Sequence, residues 1–269
     1  MSQEVKTDVF LDVTEMTGYN ISKEQLQRMY TRYAWACRYV FDKDVIEVAC
    51  GSGQGLGMLA AKARSIRAGD YSPEVLAVPR SHYGQRIDFQ VFSAEKMPYE
   101  DQSADVILLY EAIYYLPDIN GFIEECQRVL RPGGMLLISM ANCDLFDFNP
   151  SPFSHQYYGV TELNELLSKA EFHCAFFGDT KVSEASMLQR ILRPVKTLAV
   201  KYHLIPKSMK AKEWLKRVIF GGLVPMPAEL KAGDCEDLQP VAIPDTEADL
   251  VHKVILCEAT LQSDLSSDQ

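Results

Sequence analysis

No run in this 269-residue chain approaches the roughly 20 apolar residues that a membrane-spanning helix requires. The opening M-S-Q-E-V-K-T-D lacks the apolar core of a secretion signal, so a soluble intracellular protein is expected. Positive charge is scarce. There are 27 Lys and Arg against 37 Asp and Glu, a net charge of −10, which argues against a nucleic-acid binder that works through bulk positive potential. The seven cysteines, Cys37, Cys50, Cys126, Cys143, Cys174, Cys235 and Cys257, are odd in number and contain no C-x-x-C pair. Reduced thiols in a cytoplasm are expected, with no structural zinc and no other metal. Two phosphate-binding signatures are also absent. A dinucleotide G-x-G-x-x-G fails because its third glycine position is Leu56 counted from Gly51 and Met58 counted from Gly53, and no Gly-Lys-Ser/Thr completes a P-loop.

Glycine turn chemistry is nevertheless present. Val45, Ile46, Val48 and Ala49 form an apolar run with one acid, Glu47, and read as a buried parallel strand. The run breaks into four glycines spaced by Ser52, Gln54 and Leu56, and Leu56, Leu59, Ala60 and Ala63 then share one helical face. Strand, glycine turn and helix form a cradle where a nucleotide-like ligand approaches the backbone at unpaired N–H groups. Asp70 ends a second strand nineteen residues after Gly51, the spacing at which an acid accepts from ribose hydroxyls. Tyr71 follows it, and Ser72 and Pro73 open the next helix as N-cap and first residue.

Further elements follow from capping and periodicity. Ser22 and Gln25 make a capping box before Leu26, Met29, Tyr30, Tyr33 and Cys37 at helical spacing, which suits packing on a sheet edge. Ile87–Phe92, Asp105–Tyr110, Met135–Ser139, Glu171–Gly178 and Leu250–Thr260 read as strands. Asp118 caps the helix carrying Phe122, Ile123, Cys126, Val129 and Leu130, and Thr161 caps another. Asn142 to Tyr158 is a long aromatic loop beyond a strand's carboxyl end, where open α/β sheets bind ligands.

The pattern E-x-x-x-G-x-G-x-G made by Glu47, Gly51, Gly53 and Gly55, followed at the right distance by R-V-L-R-P-G-G-M-L-L-I-S, resembles the class I S-adenosylmethionine (SAM) dependent methyltransferases, and most closely a type 11-like, small-molecule branch. The resemblance covers about residues 40 to 180 and the final strand. It implies an α/β, Rossmann-like, seven-stranded, mostly parallel sheet with helices on both faces, an antiparallel last strand and a helical insertion. It also implies SAM as cofactor, S-adenosylhomocysteine as product, and a methyl acceptor of the kind met in sugar and natural-product pathways. The cofactor residues it implies are Glu47, Ala49, Gly51, Ser52, Gly53 and Gly55 in the turn, with Asp70, Tyr71 and Ser72 at the ribose. Ser93, Ala94 and Glu95 would border the adenine, Tyr110, Glu111, Ala112 and Tyr115 the methyl group and the substrate, and Tyr33 on the N-terminal helix is a further cofactor-binding candidate. Ser93 is a departure, because the family places an acid there; Glu95 is the compensating candidate. His155, whose pKa class suits proton transfer, is the candidate base, and Tyr19, Tyr115 and Tyr158 join it as acceptor-positioning candidates.

The expected organisation is a helical lid over 1–40, the SAM-binding core over 41–182, an insertion over 183–249, a last strand over 250–262 and a disordered tail over 263–269. Gln189 to Gly222 holds nine basic residues against the single acid Glu213. That segment is open to three readings: a solvated basic surface, a docking surface for an anionic acceptor, or a peripheral membrane contact through Trp214 to Phe220. Two rival functions stay open beside methyl transfer: a methyltransferase-like module that binds SAM without catalysis, and a nicotinamide oxidoreductase. The sequence leaves the oligomeric state open.

Overall fold

The computed structural model describes residues 17–146, 148–182 and 222–263. Its main sheet follows from the apolar runs. β2 (Asp44–Val48), β3 (Ser65–Asp70), β4 (Asp88–Val91), β5 (Ala104–Tyr110), β6 (Leu130–Ala141), β7 (Phe172–Lys181), β9 (Val241–Ile243) and β10 (His252–Leu261) lie in the order β4-β3-β2-β5-β6-β10-β7-β9. The pairs β2/β3, β2/β5, β3/β4 and β5/β6 are parallel, and β10 runs antiparallel between β6 and β7. Seven of the eight strands match expectation. The eighth, β9, is an antiparallel addition on β7.

Period-two alternation explains why both faces of the sheet are covered. Val45, Val106 and Leu108 point into a core shared with α1 (Lys23–Ala36), α2 (Leu56–Ala60) and α3 (Pro73–Tyr83). Ile46, Val48, Ile107 and Leu109 point the other way, against α4 (Ile119–Val129) and α5 (Val160–Lys169). Because the chain leaves β2 outward through β3 and β4 and returns on the opposite side at β5, the direction of winding reverses between β2 and β5. Ligands of open α/β sheets bind outside the carboxyl ends of strands at such a reversal.

Helix starts match the capping residues, with one correction. Ser22 Oγ accepts the Gln25 N–H at 3.1 Å while Gln25 Oε1 accepts the Ser22 N–H at 3.0 Å. Ser72 and Asp118 cap α3 and α4. The cap of α5 is Gly159, not Thr161: Glu162 Oε2 accepts the Gly159 N–H at 3.2 Å, and the chain there passes too close to the Asp144 carboxylate for a side chain to fit. The helix after the glycine turn is shorter than expected, ending at Ala60. Arg64 and Ser65 donate their N–H groups to Lys43 O and draw the chain into β3.

Residues 183–221, which hold all of the basic segment but Gly222 and the first part of the expected insertion, lie outside the described residues. The rest of that expected insertion, 222–249, contains no helix and is built of turns and two short strands. β8 (Leu223–Pro225) pairs antiparallel with β1 (Asn20–Ser22), and the Leu230 N–H donates to Gln54 O at 2.7 Å, so this stretch folds back onto the glycine turn. Among the described residues no helix is long and apolar enough to cross a membrane.

Candidate active site

A cavity of about 440 Å³ opens where the winding reverses. It runs from Ser93, Ala94 and Glu95 beyond β4, past Asp70 and Tyr71 at β3 and Glu47 to Ser52 at β2, to Tyr110, Glu111 and Ala112 at β5. It ends at Ala141 on β6 and Lys253 and Val254 on β10, with α1 forming its roof through Arg28, Arg32 and Tyr33. Of the residues expected from sequence, Tyr33, Glu47, Ala49, Gly51, Ser52, Asp70, Tyr71, Ser93, Ala94, Glu95, Tyr110, Glu111, Ala112, Tyr115 and His155 line it.

Five expected residues do not. Gly53 (φ +72) is constrained by packing, since a Cβ there would sit 2.9 Å from both Leu56 Cδ1 and Pro79 Cβ. Gly55 lies flat against the Tyr33 ring, leaving no room for a side chain. Ser72 is fully buried as the α3 cap, its Oγ accepting the Val75 N–H. Tyr158 is buried in the core beneath α4 and α5, and Tyr19 is 63% exposed beside β1. Sequence reasoning missed Arg28, Arg32, Gln25, Gln54, Tyr114 and Lys253, all of which line the cavity.

The acids are held firmly. Asp70 Oδ2 accepts the Gly51 N–H at 3.1 Å and Oδ1 the Ser72 N–H at 3.0 Å, which locks the glycine turn to the end of β3. Burial pushes the Asp70 carboxyl up, and the backbone N–H groups of Ser72, Gly51 and Tyr71 pull against it. Ser93 donates its hydroxyl to Glu95, so the residue that departs from the expected acid is joined to an acid two positions on. Glu111, in left-handed backbone at φ +53, accepts from Ser139 Oγ at 2.9 Å and Tyr114 OH at 3.0 Å, with Arg32 Nη1 3.8 Å away. His155 is exposed at the rim, tied there by its N–H to Tyr114 O at 2.8 Å.

Glu47 is the unusual group. It is 1% exposed, its Oε1 accepts from Tyr33 OH at 2.6 Å, and its Oε2 has no donor among the described residues. Burial raises its pKa from 4.5 to about 7, against the lowering effects of the Tyr33 hydrogen bond and the Arg32 charge. The folded state therefore holds a proton that the unfolded chain releases near pH 4.5. Stability should fall as pH rises through that window, by an amount on the order of 2 kcal/mol. Denaturant titrations at pH 5 and 8 on the parent and Glu47→Gln check this: the parent should lose stability between them and the variant should not. Equal pH dependence in both would reassign it to other groups.

Residues 46–138 match the family model described as a methyltransferase domain. The chain carries a methyltransferase domain. Over 148 residues it is 36% identical to a probable S-adenosylmethionine-dependent methyltransferase of Mycolicibacterium smegmatis, covering 54% of this chain and 56% of that one. It is 30% identical over 133 residues to a ubiquinone biosynthesis O-methyltransferase of Xanthomonas euvesicatoria pv. vesicatoria, covering 48% and 54%. The chain thus spans about half the length of these curated relatives. Among solved structures, the YcgJ protein of Bacillus subtilis superposes with a TM-score of 0.57 at 17% identity, over 87% of this chain and 99% of that one, a likeness of fold. The methyltransferase domain as matched holds Glu47, the glycine turn, Asp70, Ser93 to Glu95 and Tyr110 to Tyr115; Arg28, Arg32, His155 and Lys253 fall outside it. No group of three or more His, Cys, Asp or Glu side chains among the described residues is arranged to hold a metal.

Proposed function

We propose that the chain transfers a methyl group from SAM to an oxygen or nitrogen of a small-molecule acceptor, releasing S-adenosylhomocysteine. The observation that carries this reading is the lining of the cavity described above: Asp70, fixed by Gly51 and Ser72, stands at one end, and Glu47, buried behind its middle, keeps one oxygen without a donor among the described residues. Burial without a second partner keeps Glu47 protonated in the free protein, and a cationic ligand beside it would favour the carboxylate. SAM is such a ligand, because it carries an ammonium and a sulfonium beside ribose hydroxyls. Asp70 would accept from the ribose, Glu95 with Ser93 from the adenine amino group, and Glu47 from the ammonium.

When bound, SAM supplies both the electrophilic methyl and its leaving group. The protein's task is alignment and exclusion of water. Tyr33 and the rest of α1 cover one side of the cavity, while Tyr110, Ala112 and Tyr115 line the stretch beyond β5. A protonated acceptor would meet two proton-accepting groups, the imidazole of His155 at the rim and the carboxylate of Glu111 within. The Xanthomonas relative, named for O-methyl transfer, favours oxygen as the acceptor atom. A sugar or natural-product intermediate is the proposed acceptor class.

Calorimetric titration with SAM, S-adenosylhomocysteine and NAD tests the cofactor: the first two should bind and NAD should not. Incubation with methyl-labelled SAM and fractionated metabolite pools tests transfer. Label in a small-molecule product that disappears in His155→Ala but persists in Glu111→Gln assigns the base to His155, and the reverse assigns it to Glu111. Binding of NAD in preference to SAM would end the proposal.

A further inference from the structure

The strand order divides the cavity into two ends. The residues proposed to hold the cofactor belong to β4, β3, β2 and β5. Lys253, on β10, stands four strand spacings from Asp70, about 19 Å across the sheet. This far end is walled by Ala141 of β6, Val254, the His155 loop and Arg28, one helical turn before Arg32 on α1. Where the cofactor end carries carboxylates, the far end presents cations.

Arg28 keeps a spare donor, and Lys253 is held by a single carboxylate oxygen. Arg28 Nε is buried with no hydrogen-bond acceptor among the described residues, and lies 4.0 Å from Glu24 Oε1, beyond hydrogen-bond reach. Lys253 Nζ donates to the same Glu24 oxygen at 2.7 Å. Glu24 does not line the cavity, so the two cations that do line it are held near each other by one carboxylate oxygen outside the lining. The other acids nearby are Glu111, already occupied by Ser139 and Tyr114, and Asp179, buried on β7 where it senses the Arg28 charge. A guanidinium with a spare buried N–H next to an ammonium suits an oxyanion, which would accept from both.

We infer that Arg28 and Lys253 form an anion subsite for the acceptor, and that the methyl acceptor therefore carries a carboxylate or phosphate group at the end away from the cofactor. The inference rests on the methyl-transfer reading for the word acceptor, but not for the site itself. Neither residue lies in the matched domain, so the subsite belongs to what this chain adds around it.

The test uses the full chain, inorganic phosphate and benzoate as probes, and sodium chloride at matched ionic strength as the control. Melting temperature against probe concentration reports anion binding, and calorimetry with S-adenosylhomocysteine reports the cofactor end. In the parent, phosphate or benzoate should raise the melting temperature beyond the chloride control, and whichever does so identifies the anion class. Lys253→Gln and Arg28→Gln should each weaken that binding about tenfold, as loss of one charge-assisted hydrogen bond implies, with S-adenosylhomocysteine affinity unchanged. Glu24→Gln, which frees both cations, should strengthen it, an outcome that a merely structural ion pair would not give. The inference is overturned if the parent responds to neither probe beyond chloride, if the Gln variants respond like the parent, or if they instead lose S-adenosylhomocysteine, which would place the cluster at the cofactor. Failure of the parent to bind S-adenosylhomocysteine would sink the methyl-transfer reading alone, since the anion response is read on the free protein.

Discussion

Asp70→Ala is expected to lower SAM affinity about 100-fold, equivalent to roughly 2.7 kcal/mol. The substitution removes the proposed ribose acceptor and also strips the Gly51 and Ser72 N–H groups of their partner. Orphaned buried donors cost about 1 to 3 kcal/mol each, although water entering the widened cavity should recover part of that. The glycine turn would lose its tie to β3, so the melting temperature should fall as well. Asp70→Asn separates the two effects. Its amide oxygen can accept one of the two N–H groups, but its NH₂ faces the other as donor to donor, so stability should recover partly and SAM affinity should not. Calorimetry and thermal denaturation on both variants make the check. Unchanged SAM affinity in a folded Asp70→Ala would remove Asp70 from the ribose.

What could be read from the sequence was governed by local chemistry. Val45, Ile46 and Val48 announce a strand because both faces of β2 are covered, and the Ser22–Gln25 box announces α1 because the side-chain and backbone partners lie within one turn. Asp70 was legible from its distance to Gly51, and their hydrogen bond joins residues nineteen apart. The residues that stayed hidden are set by long-range packing. Arg28 looks like half of a solvated i,i+4 pair with Glu24, and only the position of β10, 229 residues after Glu24, turns that pair inward by adding Lys253. Tyr114 escaped notice beside Tyr115 because nothing in the order of neighbours tells which of two adjacent tyrosines holds Glu111. The glycines misled in the opposite sense. Gly53 and Gly55 belong to the motif, yet what demands a missing side chain is Leu56 and Pro79 in one case and Tyr33 in the other.

That last contact gives the largest expected loss of stability. Gly55 has ordinary backbone angles, φ −91° and ψ −9°, so alanine there meets no backbone strain. As the N-cap of α2, the position offers alanine no gain in helix propensity. Its Cβ would fall inside the Tyr33 ring, and the ring has little freedom to move. Its hydroxyl is held by Glu47 at 2.6 Å, and its edge packs on Tyr110 with centroids 5.4 Å apart. Turning Tyr33 aside would leave the buried Glu47 without that donor, so α1 must shift instead and lift the roof from the cavity. Gly55→Ala should therefore cost about 3 kcal/mol through overpacking and lower the melting temperature by roughly 6 to 12 °C. SAM affinity should fall with it. Tyr33→Leu, which replaces the ring, should be destabilising alone but should cost much less in the Gly55→Ala background, so the two changes fall short of additivity by at least about 1 kcal/mol. Strict additivity in that double-mutant cycle, or a Gly55→Ala protein as stable as the parent, would show that Tyr33 does not roof the turn.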